Sequence, residues 1–129
     1  MANPRDYRSG VSYAEMDWLA VHKLLEDLPA IAAFHAHASA EKYLKAVIVA
    51  TGIQAKLIHD LVELLSSISA SFTAETIEMK AAKILNIAMM PSRYPNPLNA
   101  PSVDEAKVFL EAARVLRDYA RHELKLDTE

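Results

Sequence analysis

Apolar residues along this chain recur every three or four positions, and no window alternates apolar and polar residues as a strand would. Glycine and proline divide this helical pattern into five segments. The segments are Ser12 to Pro29, Ala30 to Gly52, about His59 to Ser69, near Ala74 to Met89, and Ser102 to about Leu124. Short connections place consecutive helices side by side and antiparallel. The pattern predicts an all-α fold, an up-and-down antiparallel bundle of four to five helices.

Local sequence signals predict several helix ends. Ser12 with Glu15 has the spacing of a capping box at the start of the first helix, and Ser102 with Glu105 has it for the last. Gly52 suits the left-handed conformation in which many helices end. For the second helix, the expected buried positions are the large apolar residues Ile31, Phe34, Leu44, Val47 and Ile48.

Alanine is abundant on the second and last helices. Small side chains let two helices approach closely, either inside the bundle or against another subunit. We expect the alanines to lie in the core, and a homodimer that buries an additional apolar face stays open. The residues concerned are Ala32, Ala33, Ala36, Ala38, Ala40, Ala112 and Ala113.

The composition narrows the classes of function. The 129 residues, 52% of them hydrophobic, suffice for one domain with a core, so we predict a single domain over 1–129. A net charge of −3 gives no general attraction for nucleic acid, so any contact with RNA or a nucleotide must depend on a local basic cluster. The absence of cysteine excludes disulfides, thiolate catalysis and cysteine-bound zinc.

The lengths of the apolar runs indicate whether the chain has a signal peptide or a membrane-spanning helix. Residues 1–10 lack the apolar stretch of a signal peptide. His, Lys or Glu interrupts every long apolar run before the roughly 18 residues that a membrane span requires. We therefore predict a cytoplasmic protein that does not enter a membrane. As a separate prediction, the protein uses no metal and no cofactor.

The second helix carries the densest group of polar residues, in the stretch FHAHASAEKYLKA. His37, Glu41 and Lys45 are spaced by four and form one stripe. An adjacent stripe consists of His35, Ser39 and Lys42. One interpretation is a solvated face with a Glu41–Lys45 ion pair; another is an acid–base surface that binds a phosphate. A metal site is less favoured, because two ligands four residues apart are common and the HExxH pattern is absent.

The stretch LIHDLVELL places two polar residues at the start of the third helix. Asp60 there complements the helix dipole, which explains its presence without any function. His59 is a candidate capping or contact residue, and its titration range also makes it eligible as an acid or base.

Four of the chain's six prolines lie in the stretch MMPSRYPNPLNAPS, around Arg93 and Tyr94. Proline restricts the backbone, so this loop would present the two side chains at low entropic cost. A guanidinium presented in this way can hold a phosphate through two parallel hydrogen bonds. The alternative is that Arg93 caps the last carbonyls of the fourth helix.

The last helix contains Arg117 and His122, which are separated by four residues. Five steps along a helix rotate by about 140°, so these side chains do not share a face. They would converge only if the helix ended between them or if two subunits each supplied one. A surface network of Arg114, Asp118 and His122, spaced by four, is the simpler interpretation.

Five stretches together, DYRSG, FHAHASAEKYLKAVIVATG, HDLVELL, SRYPNPLNAPS and VDEAKVFLEAARVLRDYA, resemble the HEPN family of small bacterial and archaeal proteins. The pair of motifs around Glu41–Lys42 and Arg93–Tyr94–Pro95 is the most specific part. The resemblance implies a helical bundle, usually a homodimer, with a nucleotide- or RNA-linked role. Many members pair with a minimal nucleotidyltransferase as toxin and antitoxin. Others are metal-independent ribonucleases with an Arg-x(4–6)-His motif.

In the ribonuclease chemistry that the resemblance implies, histidine transfers a proton and arginine holds the scissile phosphate. No histidine follows Arg93 at that spacing, whereas Arg117 and His122 have the spacing near the C-terminal end. The leading hypothesis is therefore a homodimeric module that binds a nucleotide or RNA phosphate and pairs with a nucleotidyltransferase. Its predicted ligand-binding residues are Arg93, Tyr94, His37, Lys42 and Lys45. The alternatives are a metal-independent endoribonuclease with Arg117 and His122 as catalytic residues, and a structural adaptor with no ligand.

Overall fold

The computed structural model describes residues 7–54, 57–89 and 100–126 of the chain. Five helices form this part, and it contains no strand. They are α1 (Tyr7–Leu24), α2 (Pro29–Ala50), α3 (Leu61–Ile68), α4 (Ile77–Ala88) and α5 (Val103–Glu123). The predicted all-α bundle is confirmed.

Helix α2 lies at the centre of the bundle and contacts each of the other four helices, while α4 also packs against α3 and α5. One continuous core joins these helices. Its large, fully buried members include Leu44, Ile48, Leu61, Leu64, Leu65, Leu85 and Leu116. No helix of the described segments is long and apolar enough to cross a membrane.

The N-terminal half of α2 buries alanine rather than its larger apolar residues. Ile31 and Phe34 are 46% and 48% exposed, so their predicted burial was wrong, whereas Leu44, Val47 and Ile48 are buried as predicted. The alanine positions face the neighbouring helices, and Ile31 and Phe34 lie away from that face. The buried alanines are Ala32, Ala33, Ala36 and Ala40 of α2 with Ala112 and Ala113 of α5, and Ala38 is half-buried.

Helix α1 begins earlier than the sequence signal indicated. The predicted capping box at Ser12 and Glu15 was wrong, because α1 starts at Tyr7 and both residues lie inside the helix. The extra turn lies against α2: a methyl group on Gly10 would be 3.8 Å from the Cβ atom of Ala46, an ordinary van der Waals distance. Helix α1 thus continues past a residue that could have started it.

Other helix ends follow their local chemistry. At the start of α5, the Glu105 amide donates to the Ser102 hydroxyl at 3.1 Å and the Ser102 amide donates to the Glu105 carboxylate at 3.0 Å, which confirms the second capping box. Gly52 has a φ of 83° and ends α2 as predicted. Its amide donates to the Val49 carbonyl and the Ile53 amide to the Ile48 carbonyl, the hydrogen-bond pair of a Schellman motif.

The two shorter helices start later than predicted because side-chain caps define their first turns. The Asp60 carboxylate accepts from the amides of Val62 and Glu63, so Asp60 precedes α3 as its N-cap. The Thr76 hydroxyl accepts from the Met79 amide and caps α4 in the same way. The Asp60 cap also fixes the position of the preceding residue, His59.

Candidate functional site

Polar side chains of α2 and the segment before α3 meet at a cleft of about 200 Å³. The sequence-predicted His37 and Lys42 both line it, together with Glu41 and His59. Its apolar lining comes from Phe34, Ala38 and Met89. The cleft therefore combines an apolar wall with several groups that can donate or accept protons.

Asn86 of α4 holds the segment before α3 in place. Its side-chain amide donates to the Asp60 carboxylate at 2.8 Å, and its carbonyl oxygen accepts from the Leu61 amide at 3.1 Å. Because Asp60 also caps α3, the position of His59 is set from two helices. Asn86 could not be predicted from the sequence, since its contacts depend on how α3 and α4 pack.

Glu41 is the carboxylate around which the cationic groups gather. Its Oε2 atom accepts from Lys45 Nζ and from His59 Nδ1, each at 2.8 Å, and its Oε1 atom is 3.6 Å from His37 Nδ1. Burial opposes ionisation, but the hydrogen bonds from Lys45 and His59 outweigh it and hold the pKa of Glu41 below its ordinary value. The predicted Glu41–Lys45 pair is confirmed, and it extends to His59.

His37 lies beneath the cleft with only 2% of its surface exposed. Burial lowers the pKa of His37, against the opposing effects of Glu41 and of hydrogen bonds with the His59 backbone and the Asn86 side chain. At neutral pH the imidazole is therefore uncharged. The imidazole therefore adds no positive charge to the cleft, and its role in holding a phosphate stays a prediction.

The lowered pKa of His37 predicts a pH-dependent stability. The unfolded chain binds a proton at His37 near its ordinary pKa of 6.5, whereas the folded protein resists it, so stability falls as the pH drops below about 6.5. Glu41 affects stability at lower pH than His37 does. The ionised Glu41 carboxylate stabilises the folded protein, and this contribution is lost only as the pH falls below its ordinary pKa of 4.5. We expect His37→Asn to flatten the decline between these two values, as measured by urea unfolding at several pH values.

The control for this measurement is His122→Asn, which removes an exposed imidazole from the end of α5. The slope between pH 6.5 and 4.5 should change in His37→Asn only. An identical slope in wild type and His37→Asn would show that the buried imidazole does not resist protonation.

The second polar stripe of α2 binds α1. Asp17 of α1 is 8% exposed and accepts hydrogen bonds from Lys42 Nζ and, at 2.7 Å, from His35 Nδ1. The Ser39 hydroxyl donates to the Ala14 carbonyl at 2.9 Å. Asp17 was not among the predicted residues, although its position within the helical spacing of Ala14, Trp18 and Val21 indicated that it would be buried.

Arg117 lies in an ion-pair network between α1 and α5. Its Nε and Nη2 atoms donate to the two carboxylate oxygens of Glu15 at 2.7 and 3.0 Å, and Arg117 is 6% exposed. The Tyr43 hydroxyl also donates to Glu15 and accepts from Arg121 at 3.0 Å. Burial opposes ionisation of Glu15, but these donors hold its pKa below the ordinary value, and burial with the nearby carboxylate raises the pKa of Tyr43 to about 12.

His122 is exposed in the last turn of α5, which continues through Glu123. The helix therefore does not end between Arg117 and His122, and within one chain they stay on different faces. Their convergence at a catalytic site would need a second subunit, and the pair stays a prediction. Arg114 pairs with Glu111 at 3.2 Å instead of the expected Asp118.

Arg93 and Tyr94 lie outside the described residues, which stop at Met89 and resume at Ala100. Met89 itself lines the cleft, so the chain leaves the described part beside the polar groups of α2. The role of Arg93 in binding a phosphate stays a prediction. Within the described segments, no three His, Asp or Glu side chains are grouped closely enough to hold a metal ion.

The five-helix bundle and the polar stretch of α2 can be compared with known protein families. The sequence model of the HEPN domain family matches residues 14–123 of this chain. The chain therefore belongs to the HEPN domain family. The resemblance seen in the sequence is confirmed at this level.

Two solved structures have the same fold. TT1696 from Thermus thermophilus is 26% identical, with a TM-score of 0.77, over 95% of this chain and 99% of that one. ST0689, an archaeal HEPN homologue, is 20% identical, with a TM-score of 0.74, over 96% of this chain and 99% of that one. The second likeness shows the fold alone. Among curated proteins, none matches this sequence.

Proposed function

We propose that this HEPN protein is a homodimeric binding module whose α2 cleft takes up the phosphate of a nucleotide or RNA. We further propose that it pairs with a minimal nucleotidyltransferase in a toxin–antitoxin system. The observation that carries the proposal is the cleft, where Lys42, His37 and His59 face one space beside Met89. The chain that continues from Met89 carries Arg93 four residues further on.

Both lysines near the cleft already pair with carboxylates, so a phosphate would have to compete with these carboxylates for a lysine. Lys42 pairs with Asp17, and Lys45 pairs with Glu41. The Lys42 side chain is 42% exposed, so its ammonium can turn from Asp17 to a ligand without entering the core. Arg93 would add a further cation, and its two parallel donors suit a phosphate.

Binding without cleavage is favoured over the endoribonuclease hypothesis by the state of Arg117. Its guanidinium is directed at Glu15 inside the protein, with its side chain only 7% exposed. An arginine that stabilises a scissile phosphate must reach the substrate. The groups around the cleft offer the hydrogen bonds and charge on which binding of a phosphate would depend.

Binding is tested by thermal unfolding with ATP, GTP and a short single-stranded RNA, because a ligand of the native state raises the melting temperature. We expect Lys42→Ala and Arg93→Ala each to weaken binding by about tenfold, the effect of losing one hydrogen bond to a charged group. Lys83→Ala is the matched control, since Lys83 is an exposed lysine of α4 that does not line the cleft.

Three results would contradict the proposal in different ways. No shift with any of the ligands would favour the structural adaptor. An equal loss in Lys83→Ala would indicate general charge attraction. Cleavage of RNA in the presence of a chelator, abolished by His122→Ala, would establish the endoribonuclease. A small nucleotidyltransferase in the neighbouring reading frame would support the pairing.

A further inference from the structure

A second cavity, of about 210 Å³, lies beside the α2 cleft. Its lining residues are Ala30, Ile31, Phe34 and Met89, all with apolar side chains. Phe34 and Met89 line the α2 cleft as well, so the two cavities share a wall. A polar cleft and an apolar pocket therefore adjoin, and the proposed function uses only the polar one.

We infer that the apolar pocket binds the base of the nucleotide or RNA residue whose phosphate binds in the α2 cleft, with the base stacked against Phe34. This inference rests on the proposed function and adds the second half of its ligand. A base joined through ribose to a phosphate has an aromatic end and an anionic end. The apolar pocket and the α2 cleft match these two ends.

Phe34 has the properties of a stacking surface. It is 48% exposed, so about half of this large aromatic residue is open to a ligand. Its ring meets the imidazole of His35 edge to face, with the centroids 5.5 Å apart and the planes at 81°. His35 is in turn held by a hydrogen bond of 2.7 Å to Asp17 of α1. An aromatic ring positioned in this way loses little freedom when a base stacks on it.

The spacing along α2 suits a ligand with two ends. Phe34, Ala38 and Lys42 are separated by four residues each and follow one another along the helix. Because a helix rises 1.5 Å per residue, Phe34 and Lys42 are about 12 Å apart along its axis. This separation is comparable to the length of a nucleotide from its base to its phosphate. The small, half-buried Ala38 between them leaves room for the ribose.

The apolar lining also defines the class of base. Its four side chains offer a base no strong hydrogen-bond partner, so they would contact the face of the base rather than its edge. Stacking on an aromatic side chain tolerates every base, because every base has a π-face. We therefore expect adenine and guanine nucleotides to bind with similar affinity, and RNA to bind without a fixed sequence.

The test uses calorimetric titration of the full chain with ligands that contain both ends or only one: AMP, ribose 5-phosphate and adenosine. Phe34→Ala should weaken AMP binding by about tenfold to a hundredfold, the effect of losing one stacked base. The same variant should bind ribose 5-phosphate as wild type does, since that ligand has no base. Lys42→Ala should weaken binding of AMP and ribose 5-phosphate and leave adenosine unchanged.

Three further variants separate stacking from a general change in the protein. Phe34→Tyr keeps the aromatic ring and should bind AMP as wild type does, whereas Phe34→Leu keeps an apolar side chain without the ring and should lose most of the stacking. Tyr13→Ala is the matched control, because Tyr13 is a 57% exposed aromatic residue of α1 that lines neither cavity. Circular dichroism should show wild-type helical content in every variant.

A second set of titrations distinguishes RNA from a free nucleotide as the source of the base. It compares a short single-stranded RNA with a ribose-phosphate chain of the same length that carries no bases. If RNA is the ligand, it binds more tightly than AMP, and Phe34→Ala weakens the RNA but not the chain without bases. If a free nucleotide is the ligand, AMP binds at least as tightly as the RNA.

The possible outcomes separate this inference from the proposed function. If Phe34→Ala weakens AMP and ribose 5-phosphate equally, or weakens neither, the base pocket is overturned and the phosphate site stands. A loss of AMP binding in Tyr13→Ala as large as in Phe34→Ala would also overturn the base pocket. Binding of adenosine without binding of ribose 5-phosphate would overturn the phosphate site and support the base pocket. A wild-type protein that binds none of these ligands would overturn both.

Discussion

Replacing Glu15 with alanine is expected to lower the free energy of unfolding by about 3 kcal/mol, the lower end for breaking a buried ion pair. The change leaves Arg117, which is 6% exposed, without the carboxylate that accepts both of its hydrogen bonds to α1. It also removes the acceptor of the Tyr43 hydroxyl, which is fully buried. The loss lies at the lower end because the Glu15 side chain is itself 30% exposed.

Urea unfolding gives this free energy directly, and a parallel thermal scan should show a fall in melting temperature of about 10 °C. The matched control is Glu111→Ala, which removes a carboxylate from an exposed arginine pair on the same bundle. Exposed pairs contribute about 1 kcal/mol or less. Equal losses in the two variants would show that the pair between α1 and α5 stabilises no more than a surface contact.

Replacing Leu44 with alanine is expected to lower the free energy of unfolding by about 3 kcal/mol, because a cavity opens in a core that cannot close around it. Leu44 is fully buried on α2, the helix that contacts all the others. Ile31→Ala on the same helix serves as the comparison. Ile31 is 46% exposed, so the expected loss is about 1 kcal/mol or less.

Chemical unfolding of both variants, with the slope against urea checked to be constant, measures the difference. The comparison decides which face of α2 is the buried one. If Ile31→Ala were as costly as Leu44→Ala, the large apolar residues would form the core along the whole helix, as the sequence first indicated. The alanine face would then be the exposed one.

Features set by residues that are adjacent in the sequence were predictable. The capping box at Ser102 and Glu105 and the end of α2 at Gly52 are set within a few residues, and both are as predicted. The same signal failed at Ser12, where α1 already runs from Tyr7 and its added turn lies against Ala46 of α2. A local signal shows where a helix can begin, and packing against another helix decides whether it does.

The face of α2 was harder to predict because large apolar residues and alanines lie on different sides of the helix. Size favoured Ile31 and Phe34, yet a central helix with neighbours on several sides needs small residues where those neighbours approach. That requirement depends on the arrangement of the other helices, which the periodicity of one segment does not contain. Leu44, Val47 and Ile48 are large and also lie on the side of α2 that faces other helices, so they were predicted correctly.

The candidate site was predictable in part. Spacing by four on one helix correctly placed His37, Glu41 and Lys45 together. The partners supplied by other elements could not be found this way: Asp17 is 25 residues from Lys42 in the sequence, and Glu15 is 102 residues from Arg117. Opposite charges occur throughout the chain, and only the fold selects which of them meet.

Trp18 is the only tryptophan of the chain. It lies under two guanidinium groups, with the Arg114 and Arg117 Cζ atoms 5.2 and 5.1 Å from its ring centre, and is 6% exposed. An indole held in this way is a built-in fluorophore at the junction of α1 and α5. Its emission would shift to longer wavelengths when that junction opens, so loosening there could be followed optically without attaching a dye.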